Sequence, residues 1–361
     1  AYGRVNTWFE LSVSTLSLIA LLLFWYFRGF EILDLWVRGF QFPPVVTGLC
    51  YFGALGVARE LLSLPFEIYH TFVIEERYGF NRTTWPTFVI DHLKQWVISG
   101  VLLAGILALV LWLFQTFGTN AWLFAWICVA AITIFVTYLA PTILLPLFFK
   151  FSPVPAGELR DRVSELCRQQ DFPIRDLMVI DGSRRSAKAN AFFTGFGANK
   201  RIALYDTLIQ NHTVPELVAV LAHEIGHYKK RHIVQHFLFA QLNLFSLFGA
   251  ASLCLSRPEL LAAFGVSHPS YYVGLALFFI LVQPAAVLIG VFSNFWSRRH
   301  EFEADRFAAE SLHSPNPLIT ALKKLSRDSL SNLTPHPLLV GLHYSHPPVS
   351  ERIAALRKVS A

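Results

Sequence analysis

Three long stretches of the chain, 95–149, 232–256 and 260–297, contain no Lys, Arg, Asp or Glu. A helix crosses the hydrocarbon of a bilayer in about 20 residues, so runs of this length read as membrane segments. Together with the apolar runs nearer the N-terminus they divide into six predicted spans, at 8–28, 45–72, 95–117, 121–148, 232–256 and 271–297. Gly118-Thr119-Asn120 marks the hinge between the third and fourth spans. Pro141 and Pro146 predict a kink, or an early exit into the interface, at the end of the fourth.

Two polar segments lie between and after the spans. In 150–231, Leu159, Val163, Leu166 and Cys167 repeat at helical spacing and predict an amphipathic helix over 156–170. The apolar run Leu177-Met178-Val179-Ile180, bounded by Asp176 and Asp181, reads as a strand. Residues 191–196 and 201–205 read as two more, joined by a turn at 197–200. Thr213 followed by Glu216 forms a capping box, and Pro215 suits a first helical turn. These signals predict a helix that starts near 214 and runs on through the fifth span. The last segment, 298–361, reads as helical at both ends and is broken by Pro-rich stretches at 315–317, 335–337 and 347–348. The predicted organisation is spans 1–4 in 1–149, a polar insertion in 150–231, spans 5 and 6 in 232–297, and a C-terminal segment in 298–361.

Composition agrees with a membrane protein. Hydrophobic residues make up 54% of the 361, charged residues only 15%, and Phe alone occurs 33 times. A soluble domain carries about 25% charged residues, so the apolar surplus faces lipid. The first span is too long, and too charged at its flanks, for a signal peptide, and no small-residue cleavage site follows it. The chain begins at Ala1 without an initiator Met, which leaves room for a segment upstream.

Charge sets the expected orientation. Six spans put both termini on one side. Of the 30 Lys and Arg, only Arg28, Arg38 and Arg257 fall in loops of the opposite side, and Arg59 lies within a span. Arg77 and Arg82 in a short loop, and Lys94, Lys150, Arg298 and Arg299 at span ends, agree that the side carrying the termini is cytoplasmic. The net charge of +6 is then a basic face apposed to membrane lipid. It lacks the clustering of a nucleic-acid binder. Cys50, Cys128, Cys167 and Cys254 form no CxxC pair, so neither structural disulfides nor a Cys-based metal site is expected.

The chemistry centres on His223-Glu224-Ile225-Gly226-His227. Residues four apart share a helix face, so two imidazoles can reach one metal while the Glu between them faces the water it would activate. About 0.02 chance matches to H-E-x-x-H are expected in a chain of this composition. A catalytic zinc takes a third protein ligand and keeps one position open. The acidic cluster His300-Glu301-Phe302-Glu303-Ala304-Asp305 follows the last span. Glu301 and Asp305 share a face one turn apart, whereas Glu303 points elsewhere. Glu301 is the candidate third ligand. Asp305 is placed to accept a hydrogen bond from a ligand imidazole.

At this point the chain resembles the type I CAAX prenyl proteases, integral-membrane zinc endopeptidases. The resemblance runs from about residue 8 to 358. It rests on Phe72-Val73-Ile74-Glu75-Glu76 with Gly79-Phe80-Asn81, Pro146-Leu147-Phe148 with Lys150-Phe151, Asn190-Ala191-Phe192 and Asn199-Lys200-Arg201-Ile202. The H-E-I-G-H box, Ser297-Arg298-Arg299 leading to Glu301-Phe302-x-Ala304-Asp305, and His343-Tyr344-Ser345-His346-Pro347-Pro348 complete it. It implies a membrane α-helical fold, a ring of seven helices around a water-filled chamber, capped by a cytosol-facing zinc protease domain with a small β-sheet. The family's first helix would lie before Ala1. It further implies one Zn2+ per chain on His223, His227 and Glu301, Glu224 as catalytic base, Asp305 and Arg352 in support, and Asn190 and His346 against substrate or transition state. Either Asn190 or His346 could donate to the oxyanion. Substrates would be peptides or lipidated protein tails, and the membrane that of the endoplasmic reticulum in a eukaryote or the inner membrane in a bacterium. A monomer and no nucleic-acid partner are expected. A quality-control membrane protease without prenyl specificity is the alternative. A transporter or scaffold with a purely structural zinc would not need Glu224.

Several polar residues admit plainer readings. Arg59, Glu60, Glu67 and His70 lie in or at the end of the second span, where they line a chamber or form an Arg59–Glu67 pair. Glu75 and Glu76 read as membrane-edge charges or as acids of a chamber. His232 and His236 read as interface residues at the membrane surface, and His300 as pointing away from the metal.

Overall fold

The structure is a computed structural model and describes residues 1–194 and 201–359. The predicted turn at 197–200, and the end of the predicted strand at 195–196, lie outside the described residues. The membrane-embedded half opens with α1 (Tyr2–Tyr26), a short amphipathic α2 (Gly29–Arg38) and α3 (Pro44–Tyr69), which a π-helical turn (His70–Glu75) prolongs. Next come α4 (Trp85–Phe117), α5 (Ala121–Leu139), a π-helical turn at Ala140–Leu144, and α6 (Leu145–Phe148). The irregularity predicted from Pro141 and Pro146 takes the form of that turn. The third span begins earlier than its apolar run, because Thr84 caps α4 by accepting from the Thr87 N–H and Pro86 fits the first turn.

The polar insertion holds β1 (Phe151–Pro153), α7 (Glu158–Gln169), β2 (Asp176–Ile180), β3 (Ala191–Thr194), β4 (Arg201–Tyr205), α8 (Asp206–Asn211) and α9 (Val214–Lys229). The sheet order is β1-β2-β4-β3, with β2 and β4 parallel and both outer pairs antiparallel, so β3 is an edge strand. Then come α10 (His232–Leu255), α11 (Pro258–Ala263), α12 (Tyr271–Leu281), α13 (Gln283–Ser311), α14 (Asn316–Asp328), α15 (Pro337–His343) and α16 (Val349–Val359). Among the described residues, five helices are long and apolar enough to cross a membrane. The count is six if α12 and α13, bent by 50° at their junction, are one broken span. Pro284 at the start of α13 supplies the break.

One expectation fails here. The helix from 214 does not run through the fifth span: α9 ends at Lys229, and Arg231, at φ 59°, breaks the chain before α10. An expected pair also gives way to other partners. Glu67 meets His92 at 2.8 Å and Glu60 accepts from the Trp96 indole at 2.7 Å, so α3 is tied to α4 instead of Arg59 to Glu67.

Apolar packing is concentrated at two places. One core sits around the sheet and α9, with Phe172, Ile202, Leu204, Leu217, Leu221, Ile225, Leu318 and Leu356 buried. The other gathers Phe30, Tyr51, Leu111, Phe114, Tyr272 and Val273 at the opposite ends of the spans. Between them the membrane helices bury little: no residue of α1 is buried, as befits walls of a chamber more than a packed bundle. The two halves are bolted together beside β3. Arg185 forks onto Asp91 at 2.7 and 3.0 Å, Lys188 pairs with Glu75 at 2.8 Å, and the Ala187 N–H donates to the Phe80 carbonyl at 2.9 Å. Glu75 therefore holds the protease half to the membrane half and is more than a membrane-edge charge.

Candidate active site and metal centre

The site is assembled by two helices that approach unusually closely. α9 starts on the complete Thr213/Glu216 capping box, and Lys324 on α14 also donates to Glu216 at 2.7 Å. Its buried face packs against α13. At the contact stands Gly226, where a Cβ would lie 3.1 Å from the Ala304 Cα and 3.2 Å from its carbonyl oxygen. The absence of a side chain lets the α13 backbone settle onto α9. Glu301 and Asp305, one turn apart, then lie over His223 and His227.

The donor atoms converge. His223 Nε2 and His227 Nε2 are 3.1 Å apart, and the two Glu301 oxygens lie 3.5 and 3.3 Å from them. No other His, Cys, Asp or Glu group among the described residues offers three ligand atoms within metal-binding reach of one another. The remaining polar atoms fit a metal ligand set. Asp305 Oδ1 accepts from His223 Nδ1 at 2.9 Å, which leaves the Nε2 lone pair facing the centre. Glu301 Oε2 is buried, with Arg352 Nη1 at 3.1 Å and His223 Nε2 at 3.5 Å as its polar neighbours. Arg352 forks onto Asp305 at 2.6 and 2.8 Å and reaches Glu301 at 3.1 Å.

The electrostatics ask for a cation. Glu224, Glu301 and Asp305 surround one guanidinium, that of Arg352, so carboxylates outnumber permanent cations here and draw in a positive charge, which a divalent ion would supply. Burial opposes protonation of His223, yet hydrogen bonds to Asp305 and Glu301 outweigh it and hold the imidazole up to about 9. Burial would likewise raise Asp305, but the bonds from Arg352 and His223 keep its carboxyl below the usual range. Glu224 goes the other way: burial raises it, despite the neighbouring histidines.

A cavity of about 590 Å³ opens beside these groups, lined by Asn190, Glu224, His346 and Arg352 together with the three candidate ligands. All the residues singled out in the sequence for the site meet here, Asp305 standing just behind Arg352. Asn190 immediately precedes β3; its side-chain oxygen accepts from the Ala191 N–H, and its carbonyl accepts from the Tyr205 N–H. His346 Nε2 lies 3.3 Å from Glu301 Oε1. Arg298 donates to the Val340 and Tyr344 carbonyls and so anchors the loop that carries His346.

Known proteins match this architecture over nearly the whole chain. Residues 153–360 match peptidase family M48, and residues 1–150 match the family described as CAAX prenyl protease N-terminal, five membrane helices. The chain belongs to peptidase family M48. Relatives include a CAAX prenyl protease 1 homolog of Oryza sativa subsp. japonica, 37% identical over 86% of this chain and 73% of the relative. CAAX prenyl protease 1 of Saccharomyces cerevisiae is 34% identical, over 90% and 75% respectively. The crystal structure of S. mikatae Ste24p superposes with a TM-score of 0.93 at 32% identity, covering 98% of this chain and 87% of that one. As an M48 member with this membrane half, the protein is an integral-membrane metalloendopeptidase of a zinc family.

Sequence reasoning missed what surrounds His227. His232, expected at the membrane surface, is 1% exposed; its Nδ1 lies 3.1 Å from His227 Nδ1 and its Nε2 lies 3.2 Å from Glu303. His300 stacks on it at 3.9 Å and meets His236 at 3.0 Å. In an unbroken helix a residue five positions on sits about 140° around the axis from His227. The break at Arg231 brings His232 back. The basic run Lys229-Lys230-Arg231 between the motif and the apolar stretch was the one available signal.

Proposed function

We propose that the chain is a membrane zinc endopeptidase that cuts near the C-terminus of prenylated, CAAX-type proteins. His223, His227 and Glu301 would be the zinc ligands and Glu224 the catalytic base. The observation that carries this reading is the triangle of donor atoms with Glu224 beside it in a cavity at the membrane edge. The relatives named as CAAX prenyl proteases supply the substrate class.

A zinc ion held by the three ligands would polarise the scissile carbonyl and make water a better nucleophile. Glu224 takes the proton from the attacking water and later delivers it to the leaving amine. Its burial-raised carboxyl suits both duties. Asp305 holds His223 in the tautomer that presents Nε2, and Arg352 holds Asp305 and Glu301 in place. Asn190 and His346 stand on the cavity wall as donors for the developing oxyanion. The free edge of β3 offers backbone groups to an extended peptide. Residues 150–231 and 298–361 act as two halves of one proteolytic unit, hung on the spans in 1–149 and 232–297.

Depth favours a tethered substrate. His227 stands five residues before the start of α10, and Glu301 four residues beyond Ser297. A soluble globular protein would reach this level poorly, whereas a flexible tail carrying a lipid arrives at it. The distribution of basic residues supports a site on the cytoplasmic face, and we take the enzyme to be a monomer, in the endoplasmic reticulum membrane if the cell is eukaryotic. The test is cleavage of a farnesylated CAAX peptide and its bare counterpart by the detergent-purified full chain. The lipidated peptide should be cut with the larger kcat/KM. Equal cleavage would remove the prenyl reading and leave a general membrane protease.

A further inference from the structure

His223 and His227 occupy matching places in the motif but are held in different ways. His223 Nδ1 meets a carboxylate directly, at Asp305. His227 Nδ1 meets no carboxylate among the described residues. It faces the ring of His232 at 3.1 Å, and the other nitrogen of His232 faces Glu303 Oε2 at 3.2 Å. Arg299 holds the second Glu303 oxygen at 3.2 Å. The His232 ring has little freedom to turn, since it is 1% exposed and stacked on His300 with only 7° between the planes.

We infer that His232 and Glu303 are positioning residues for metal binding, a carboxylate–imidazole–imidazole relay that fixes the tautomer and ring orientation of His227. The inference rests on His227 being a metal ligand. Proton placement follows from the contacts. The Nε2 of His227 faces His223 and Glu301, so it must carry the lone pair, and the hydrogen sits on Nδ1. That N–H donates to His232 Nδ1, which must therefore be bare. The hydrogen of His232 is then on Nε2 and donates to Glu303. Each hydrogen bond dictates the next, from a surface carboxylate to the metal face of a ligand. The same donation raises the basicity of the ligand nitrogen, as in directly paired histidine–carboxylate sites.

This arrangement depends on the backbone break. The left-handed Arg231 ends one helix and starts the next, turning His232 back toward His227. Glu303 comes from the face of α13 away from Asp305, so one helix serves both ligand histidines from two sides, directly for His223 and through His232 for His227.

The experiment measures zinc affinity by chelator competition on the full chain in detergent, with the visible spectrum of the cobalt-substituted protein as a second readout. Loss of an outer partner of a metal ligand weakens binding about 10–100-fold. His232→Phe, which keeps the stacking on His300 but cannot accept, should show that loss, together with a changed cobalt spectrum. His232→Asn, whose amide oxygen sits near the former Nδ1, should recover part of it. Glu303→Ala should weaken binding by a smaller factor, because this carboxylate is 40% exposed and water can replace it. Excess zinc should restore turnover in each variant. If His232→Phe binds zinc within about twofold of the wild type while His227→Ala loses it, the relay falls and the ligand assignment stands. If His227→Ala itself keeps full affinity, the ligand reading fails and the relay with it. A lower melting temperature of the metal-free variants at unchanged zinc affinity would make His232 a packing residue and overturn the proposal. Should His232→Phe fail to fold, Glu303→Ala decides: unchanged affinity and cobalt spectrum there refute the relay.

Discussion

Arg352→Met is the most demanding test of the charge arrangement. Arg352 is 8% exposed and Asp305 1%, and they share two hydrogen bonds of 2.6 and 2.8 Å while the guanidinium also reaches Glu301 at 3.1 Å. Methionine fills much of the same volume but leaves two buried carboxylates without their cation. Breaking a buried pair from one side costs about 3–5 kcal/mol. At about 2–4 °C per kcal/mol for a unit of this size, the metal-free protein should lose on the order of 10 °C of apparent Tm. Asp305→Asn, which discharges the partner, should also destabilise. In the double variant the two losses should fall well short of their sum, with a coupling of at least about 1 kcal/mol. Thermal unfolding of the full chain in detergent, followed by tryptophan fluorescence, reads all four proteins. A fall below about 2 °C for Arg352→Met, or strictly additive losses in the double variant, would refute the reasoning.

Three further outcomes follow from the same geometry. Gly226→Ala should push Ala304, and with it Glu301, away from the histidines; overpacking of this kind costs about 1–3 kcal/mol, and zinc titration should show weaker binding with the fold intact. Glu224→Gln should keep the metal and lose turnover by several orders of magnitude, since base and proton-delivery duties vanish together; single-turnover kinetics beside metal analysis would check both halves. Although burial alone would raise Glu216, the Lys324 bond lowers its carboxyl. Its contribution to stability is therefore present above the ordinary 4.5 and lost as pH falls through the lowered value. Lys324→Met should consequently melt below the wild type near neutral pH, and the two melting curves should converge in acid.

The parts legible in the sequence were those set by local rules. Uncharged runs long enough for a bilayer, a capping box, and two histidines four apart are all statements about near neighbours on one helix. Hence the spans, the start of α9 and the pairing of His223 with His227 could be read directly. Glu301 and Asp305 were legible because they too share one helical face. Arg352 and His346 carry no local signal and came only through resemblance to a family. Tertiary structure alone decided the rest. Packing at Gly226 set how closely α13 approaches α9, and so brought the third donor to the first two. The partners of Glu60, Glu67 and Glu75 were chosen by which helix or loop lies alongside, a matter of long-range docking that no spacing within α3 and its π-helical extension records. His232 shows the distinction most plainly. Helical periodicity turns it away from His227, and a single left-handed residue at Arg231, favoured only in the folded context, turns it back.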